Sequence, residues 1–286
     1  MSALAHNKSQ HSTPFLKWAG GKRWLASAHG NLLPDNYNRY YEVFLGSGAV
    51  FFSVRPAQAT LSDINEELIE CYSVLRDEWQ NVVERLHHHH LHHSKDYYYE
   101  VRDSKPKLLA NRAARFIYLN RTCWNGLYRV NLKGKFNVPV GTKTNVLLET
   151  DNFEELSALL KKTELLAADF EGVIDKACSG DFIFADPPYT VRHNLNGFVK
   201  YNEKIFRWED QVRLRDCLVR ARNRGCLILL TNASHPSIVD LYENDFELIP
   251  LSRSSVIAAD SKNRGMYEEL VIGNFQIENM PSASRG

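Results

Sequence analysis

The chain has 286 residues, 44% of them hydrophobic and 24% charged, with a formal net charge of +1. That length and balance suit one large domain, or a core carrying an inserted smaller one. They exclude a disordered or collagen-like chain, and no whole-molecule charge is directed at nucleic acid. In chain order, residues 1–13 are polar and read as a flexible tail. Residues 40–44 read as a strand, 49–54 as the start of a helix, and 59–62 as a second strand ending at Asp63. Residues 65–76 have helical spacing, with Asp63 or Asn65 available as cap.

From residue 77 to about residue 163 the alternation of strands and helices stops. Helical patterns dominate there, followed by a glycine-containing, hairpin-like stretch over 128–140. Between Val101 and Asn145 stand ten lysines and arginines against one acid, Asp103, so the basic charge is local. The alternation resumes with a strand at 164–168, a helix at 170–177 and a strand at 181–185. An amphipathic helix at 208–224, a buried strand at 226–231 and closing strands at 246–249 and 268–275 follow. The pattern predicts a doubly wound α/β core over 14–76 and 164–277, interrupted by a mainly helical insertion over 77–163, with a second tail at 278–286.

The most informative stretch is FIFADPPYTV, residues 182–191. Asp186 follows an apolar run, at the strand end where open parallel sheets bind ligands. Pro187 and Pro188 hold the backbone extended and donate no hydrogen bond, so their carbonyls stay available as acceptors. Tyr189 adds a flat face. The four residues make an acceptor-rich pocket suited to a planar ring with an amino group. In EVFLGSGAVFF, residues 42–52, Gly46 and Gly48 permit a tight strand-to-helix turn and close ligand approach. Asp63, nineteen residues after Phe44 at the next strand end, is placed to bind ribose hydroxyls. No third glycine and no GxxxxGK[ST] follows, which disfavours NAD and ATP. PFLKWAGGKRWL places Lys17, Trp18 and Lys22 around a Gly-Gly turn, and residues 119–141 interleave cations, amides and aromatics as a base-stacking, phosphate-binding surface does.

Other features have plainer readings. Five scattered cysteines form no CxxC pair, so neither a disulfide framework nor a zinc site is expected, and a reducing cytosol is the simplest compartment. No secretory signal is visible at the N-terminus, and the apolar stretches are too short to span a membrane. The tract HHHHLHH, residues 87–93, reads as a solvated helix end in preference to a metal site.

Together KWAGGK, FLGSG, LSDIN, the block LNR…WNGLYRVNLKGKFNVP, and DPPY resemble the Dam-like DNA adenine-N6 methyltransferases, in that family's order, over about residues 14–275. The resemblance implies a Rossmann-like methyltransferase core with an inserted DNA-recognition domain. It implies S-adenosylmethionine as cofactor, bound by Trp18, Lys22, Phe44, Gly46, Gly48, Asp63 and Asp186, with Asp169 as a further candidate for its adenine. Catalysis is implied at Asp186, Pro187, Pro188 and Tyr189, on an adenine flipped from double-stranded DNA. DNA contacts are implied for Lys17, Trp124, Asn125, Leu127, Arg129, Asn137 and Pro139, with GATC as the site and Arg129 on a guanine edge. No metal is implied. A cognate restriction endonuclease is a further partner the resemblance allows. The sequence leaves two rivals: a cytosine-N4 or RNA methyltransferase, and a DNA-binding protein that has lost catalysis.

Overall fold

Parallel strands buried on both faces need near-continuous apolar sequence, and the central strands here have it. The computed structural model describes residues 13–18, 20–22, 25, 32–126, 128, 136–191, 206–254 and 266–275. Among them lie β1 (Tyr40–Glu42), α1 (Ala49–Val54), β2 (Ala59–Asp63), α2 (Glu66–His92), α3 (Lys95–Asp103) and α4 (Leu109–Thr122). There follow a 3₁₀ turn (Trp124–Gly126), α5 (Phe153–Leu160), β3 (Thr163–Ala167), α6 (Phe170–Ile174) and β4 (Phe182–Ala185). The chain continues through α7 (Trp208–Asn223), β5 (Leu227–Ala233), α8 (Pro236–Tyr242), β6 (Glu247–Ser254) and β7 (Met266–Gly273).

By Cα proximity these residues fall into two units. One lies within Met1–Ala28, Gly46–Arg55 and Glu67–Lys162, and the other within His29–Leu45, Pro56–Glu66 and Thr163–Gly286. The second unit holds a seven-stranded sheet in the order β3-β2-β1-β4-β5-β7-β6. Strands β1 to β5 run parallel, and β7 pairs antiparallel with β5 and β6. This is the doubly wound, Rossmann-like arrangement, with its switch point where β1 lies beside β4. On one side Ile183, Ala185, Ile228 and Leu230 pack with Leu214, Cys217, Leu218 and Ala221 of α7 and with Val173 of α6.

The first unit is mainly helical. Its long helix α2 carries a non-helical residue, Glu78 (φ −136°, ψ 37°), so it is two helices joined at a kink. The sequence pattern ends its helix at residue 76, two residues before that kink. Helix α8 has no counterpart in the sequence pattern. His235 caps it by accepting the Ser237 amide at 3.2 Å, and Pro236 occupies the first turn, where a missing N–H costs nothing. The hairpin expected over 128–140 falls largely outside the described residues.

Candidate active site

In the sheet-bearing unit the functional candidates sit at carboxyl ends of strands. Asp63 ends β2, its Oδ1 accepting the Asn65 amide at 3.0 Å and its carbonyl accepting the Ala168 amide at 3.2 Å. Phe44 follows β1 and packs on Phe170 and Phe206 at ring separations of 5.5 and 5.6 Å. Asp186 follows β4. The register sets Glu42 of β1 opposite Phe184 of β4, so the chain leaves both strands side by side at the switch point. Pro187 is buried, while Pro188 and Tyr189 are half-buried. Oδ1 of Asp186 accepts a 2.7 Å hydrogen bond from the Thr231 hydroxyl on β5, a partner the sequence motifs did not reveal. Asp169 caps α6, accepting the Glu171 amide at 3.0 Å, and its two oxygens accept from the Arg213 guanidinium at 2.8 and 2.9 Å. It therefore has a structural task independent of any ligand.

In the helical unit Gly46 and Gly48 both adopt left-handed backbone, with φ of 49° and 63°. A Cβ on Gly46 would lie 2.7 Å from Cδ1 of Trp18, and one on Gly48 would lie 3.1 Å from the Tyr72 hydroxyl. The turn is thus a cradle that only glycine allows. Beneath it the buried Tyr72 hydroxyl donates to the Gly46 carbonyl at 3.0 Å. The Trp18 ring stacks near Phe116 and Tyr128, with centroids 6.5 and 6.3 Å away. Lys22 is buried, and its Nζ donates to the Gly20 carbonyl at 3.0 Å.

The same unit holds several of the residues expected to contact DNA. Asn120 of α4 clamps the backbone of Lys17 from both sides: its Oδ1 accepts the Lys17 amide at 2.9 Å and its Nδ2 donates to the Lys17 carbonyl at 2.7 Å. The Trp124 amide donates to the Pro139 carbonyl at 2.9 Å, and the Gly141 amide to the Thr122 carbonyl at 2.8 Å. Tyr98 donates to the Val138 carbonyl at 2.9 Å. Trp124 and Pro139 are therefore held together, and Trp124 stays 50% exposed. Asn125 adopts φ 56°, a left-handed conformation that asparagine tolerates better than most residues. Asn137 is exposed nearby in sequence. Leu127 and Arg129 lie outside the described residues.

Two readings of the basic segment need correction. Arg121 is no surface cation: it is 2% exposed and donates to the Phe15 and Val146 carbonyls and, through two bonds of 2.6 Å, to Asp151. Arg115 likewise spends its guanidinium on carbonyls at the end of α3. The histidine tract is solvated only in part. His89 and His93 bond to Tyr97 and Tyr118 through contacts of 2.8 Å each, and the His89 ring stacks on Tyr118 at 4.7 Å. Among the described residues no group of three or more His, Cys, Asp or Glu side chains is arranged to hold a metal ion.

Residues 18–257 match the family of D12 class N6 adenine-specific DNA methyltransferases. The chain belongs to this family. It is 37% identical to the Type II methyltransferase M1.LlaDCHI of Lactococcus lactis subsp. cremoris, over 96% of this chain and 99% of that protein. It is 34% identical to the Type II methyltransferase M.MjaIII of Methanocaldococcus jannaschii, over 91% of this chain and 98% of that protein. A DNA adenine methylase of Vibrio cholerae is 29% identical over 90% of this chain and 94% of its own length. The D12 methyltransferase is thus an adenine-specific enzyme of DNA, and the family implies S-adenosylmethionine as methyl donor. No described helix is long and apolar enough to cross a membrane.

Proposed function

We propose that this methyltransferase acts on N6 of an adenine flipped out of duplex DNA, at GATC sites, with S-adenosylmethionine as donor. The observation that carries the reading is Asp186-Pro187-Pro188-Tyr189 at the carboxyl end of β4, beside the switch point. The residues present suit the donor. Asp63 offers a carboxylate for ribose hydroxyls at a strand end. The Gly46–Gly48 turn gives backbone access that any larger residue would close, and Trp18 lines it. Phe44 and Lys22 complete the proposed cofactor set, with Asp169 retained as a candidate beside the adenine.

When bound, S-adenosylmethionine would supply an electrophilic methyl group on a positively charged sulfur, and N6 would release one of its two protons to solvent on gaining it. The chain's part is to bare and aim that lone pair. The Asp186 carboxylate and the Pro187 carbonyl accept hydrogen bonds from the two N6–H groups, which draws the nitrogen out of conjugation with its ring. Pro188 lacks an N–H that would compete for acceptors here. Tyr189 stacks on the extruded base, returning roughly 1–3 kcal/mol against a flipping cost of a few. Positioning and electrostatics do the rest, and no nucleophilic side chain is needed.

Residues 77–163 act in this reading as the target-recognition insertion. Trp124 wedges into the duplex, Asn125 contacts a phosphate, Leu127 and Pro139 make apolar contacts to thymine methyls, and Asn137 is a further DNA contact. Arg129 reads a guanine and Lys17 the outer base pair. Kinship to Type II methyltransferases supports a cognate restriction endonuclease as partner, and a DNA substrate goes with action in the cytoplasm.

The test is single-molecule sequencing of methylation-free DNA incubated with the protein and S-adenosylmethionine. Methyladenine confined to GATC is expected. Methyladenine in another context would overturn the base contacts while leaving the chemistry. Asp186→Ala is expected to abolish methylation and retain DNA binding.

A further inference from the structure

The Asp186 carboxylate is attached to a torsion, χ2, that is broad and nearly two-fold in its preferences. Left alone, the group turns and exchanges its oxygens, and an acceptor that must meet one amino hydrogen is poorly defined. The fold removes this freedom through the neighbouring strand. β5 runs parallel to β4, with Phe184 opposite Leu229 and Ala185 opposite Leu230. The next residues along the chain are Asp186, just past the end of β4, and Thr231, still within β5. Thr231 is fully buried, and its Oγ1 lies 2.7 Å from Oδ1 of Asp186.

The direction of that bond is fixed by chemistry. An ionised carboxylate only accepts, so the threonine hydroxyl donates. Hydroxyl-to-carboxylate bonds are among the stronger side-chain hydrogen bonds, because the acceptor is charged. Threonine is also branched at Cβ, which restricts χ1 and holds the hydroxyl where the strand puts it. Serine would make the same bond from a looser arm, and valine would fill the same space without making it.

We propose that Thr231 is a positioning residue for methyl transfer: by holding Oδ1 it fixes the plane of the Asp186 carboxylate that orients the target amino group. This rests on the reading of Asp186 as an acceptor of that group. Thr231 touches neither the base nor the methyl carbon in this scheme. Its effect belongs to the chemical step and not to binding of either substrate.

The experiment is single-turnover methylation of a GATC duplex by the intact protein at saturating S-adenosylmethionine, for Thr231→Val, Thr231→Ser and Asp186→Ala. The Val variant is expected to react roughly 10- to 100-fold more slowly, the scale on which small misplacements act. Its dissociation constants for S-adenosylmethionine and DNA should stay within about twofold of wild type, and the Ser variant should recover most of the rate, as a retained hydroxyl donor requires. A merely structural threonine would instead lower the melting temperature and affect binding and rate together. If the Val variant melts below the assay temperature, Thr231→Cys replaces it, since a thiol is a weak donor of similar size, and the same loss is expected. Wild-type rate in the Val variant with an inactive Asp186→Ala would overturn the role of Thr231 alone. Methylation surviving in Asp186→Ala would overturn the underlying reading of the carboxylate. A slow Val variant that Ser does not rescue would assign the effect to packing and also sink the proposal.

Discussion

At Gly46 a single methyl group would meet the Trp18 indole at 2.7 Å, on a backbone already at φ 49°. Left-handed backbone costs a residue with a Cβ roughly 1–2 kcal/mol before any clash is counted. Gly46→Ala is therefore expected to weaken S-adenosylmethionine binding by about tenfold or more, the equivalent of 1.4 kcal/mol, in a calorimetric titration. Unchanged affinity would show that the turn does not hold the donor. His89 sets a second prediction. Burial, reinforced by His88, Arg115 and His92, lowers its pKa from 6.5 to about 4. The folded state then keeps the ring neutral where the unfolded chain would protonate it. Stability contributed by this neutral ring is present above the unfolded pKa, falls as pH drops from about 6.5, and is lost below about 4. His89→Phe retains a ring against Tyr118 but cannot titrate. Its melting temperature is expected to vary less than that of wild type across this window, and parallel curves would refute the assignment.

Between elements, the most deeply buried ion pair among the described residues is Arg121–Asp151. Helix α4 presents Arg121 to the segment before α5, where Asp151 receives it through two bonds and also accepts the Leu148 amide at 2.9 Å. The two side chains are 1% and 9% exposed. Removing one partner leaves the other charge buried without it, a change that costs about 3–5 kcal/mol. Asp151→Ala should accordingly shift the denaturation midpoint by a large amount, whereas Asp77→Ala, at an exposed pair with Arg76, should shift it little. Equal shifts would mean that burial does not set the strength of these pairs. Cooperation between elements also places the recognition turn: α4 holds Lys17 through Asn120, and its C-terminal end holds residues 139–141 through backbone bonds. A charge count along the sequence could not separate Arg121 from Lys143. Both lie in the basic segment, yet one is fully buried and the other exposed.

For the whole molecule, a net charge of +1 means that DNA affinity must come from local cations. Replacing the exposed Lys143 by Gln is expected to weaken binding about equally on all sequences and to reduce the slope of log K against log salt by roughly 0.9, one phosphate contact. A loss confined to GATC would instead make Lys143 a base reader. At this scale the sequence by itself determined a good deal. Apolar runs ending in Asp63 and Asp186 marked parallel strands buried on both faces, and the glycines after β1 marked the turn, because these signals are local. Only the tertiary structure decided that β7 lies between β5 and β6, that Thr231 meets Asp186, that Asn120 clamps Lys17, and that Arg121 is buried. Each of these joins residues far apart in the chain, and such pairings depend on which surfaces meet in space, which local pattern does not encode.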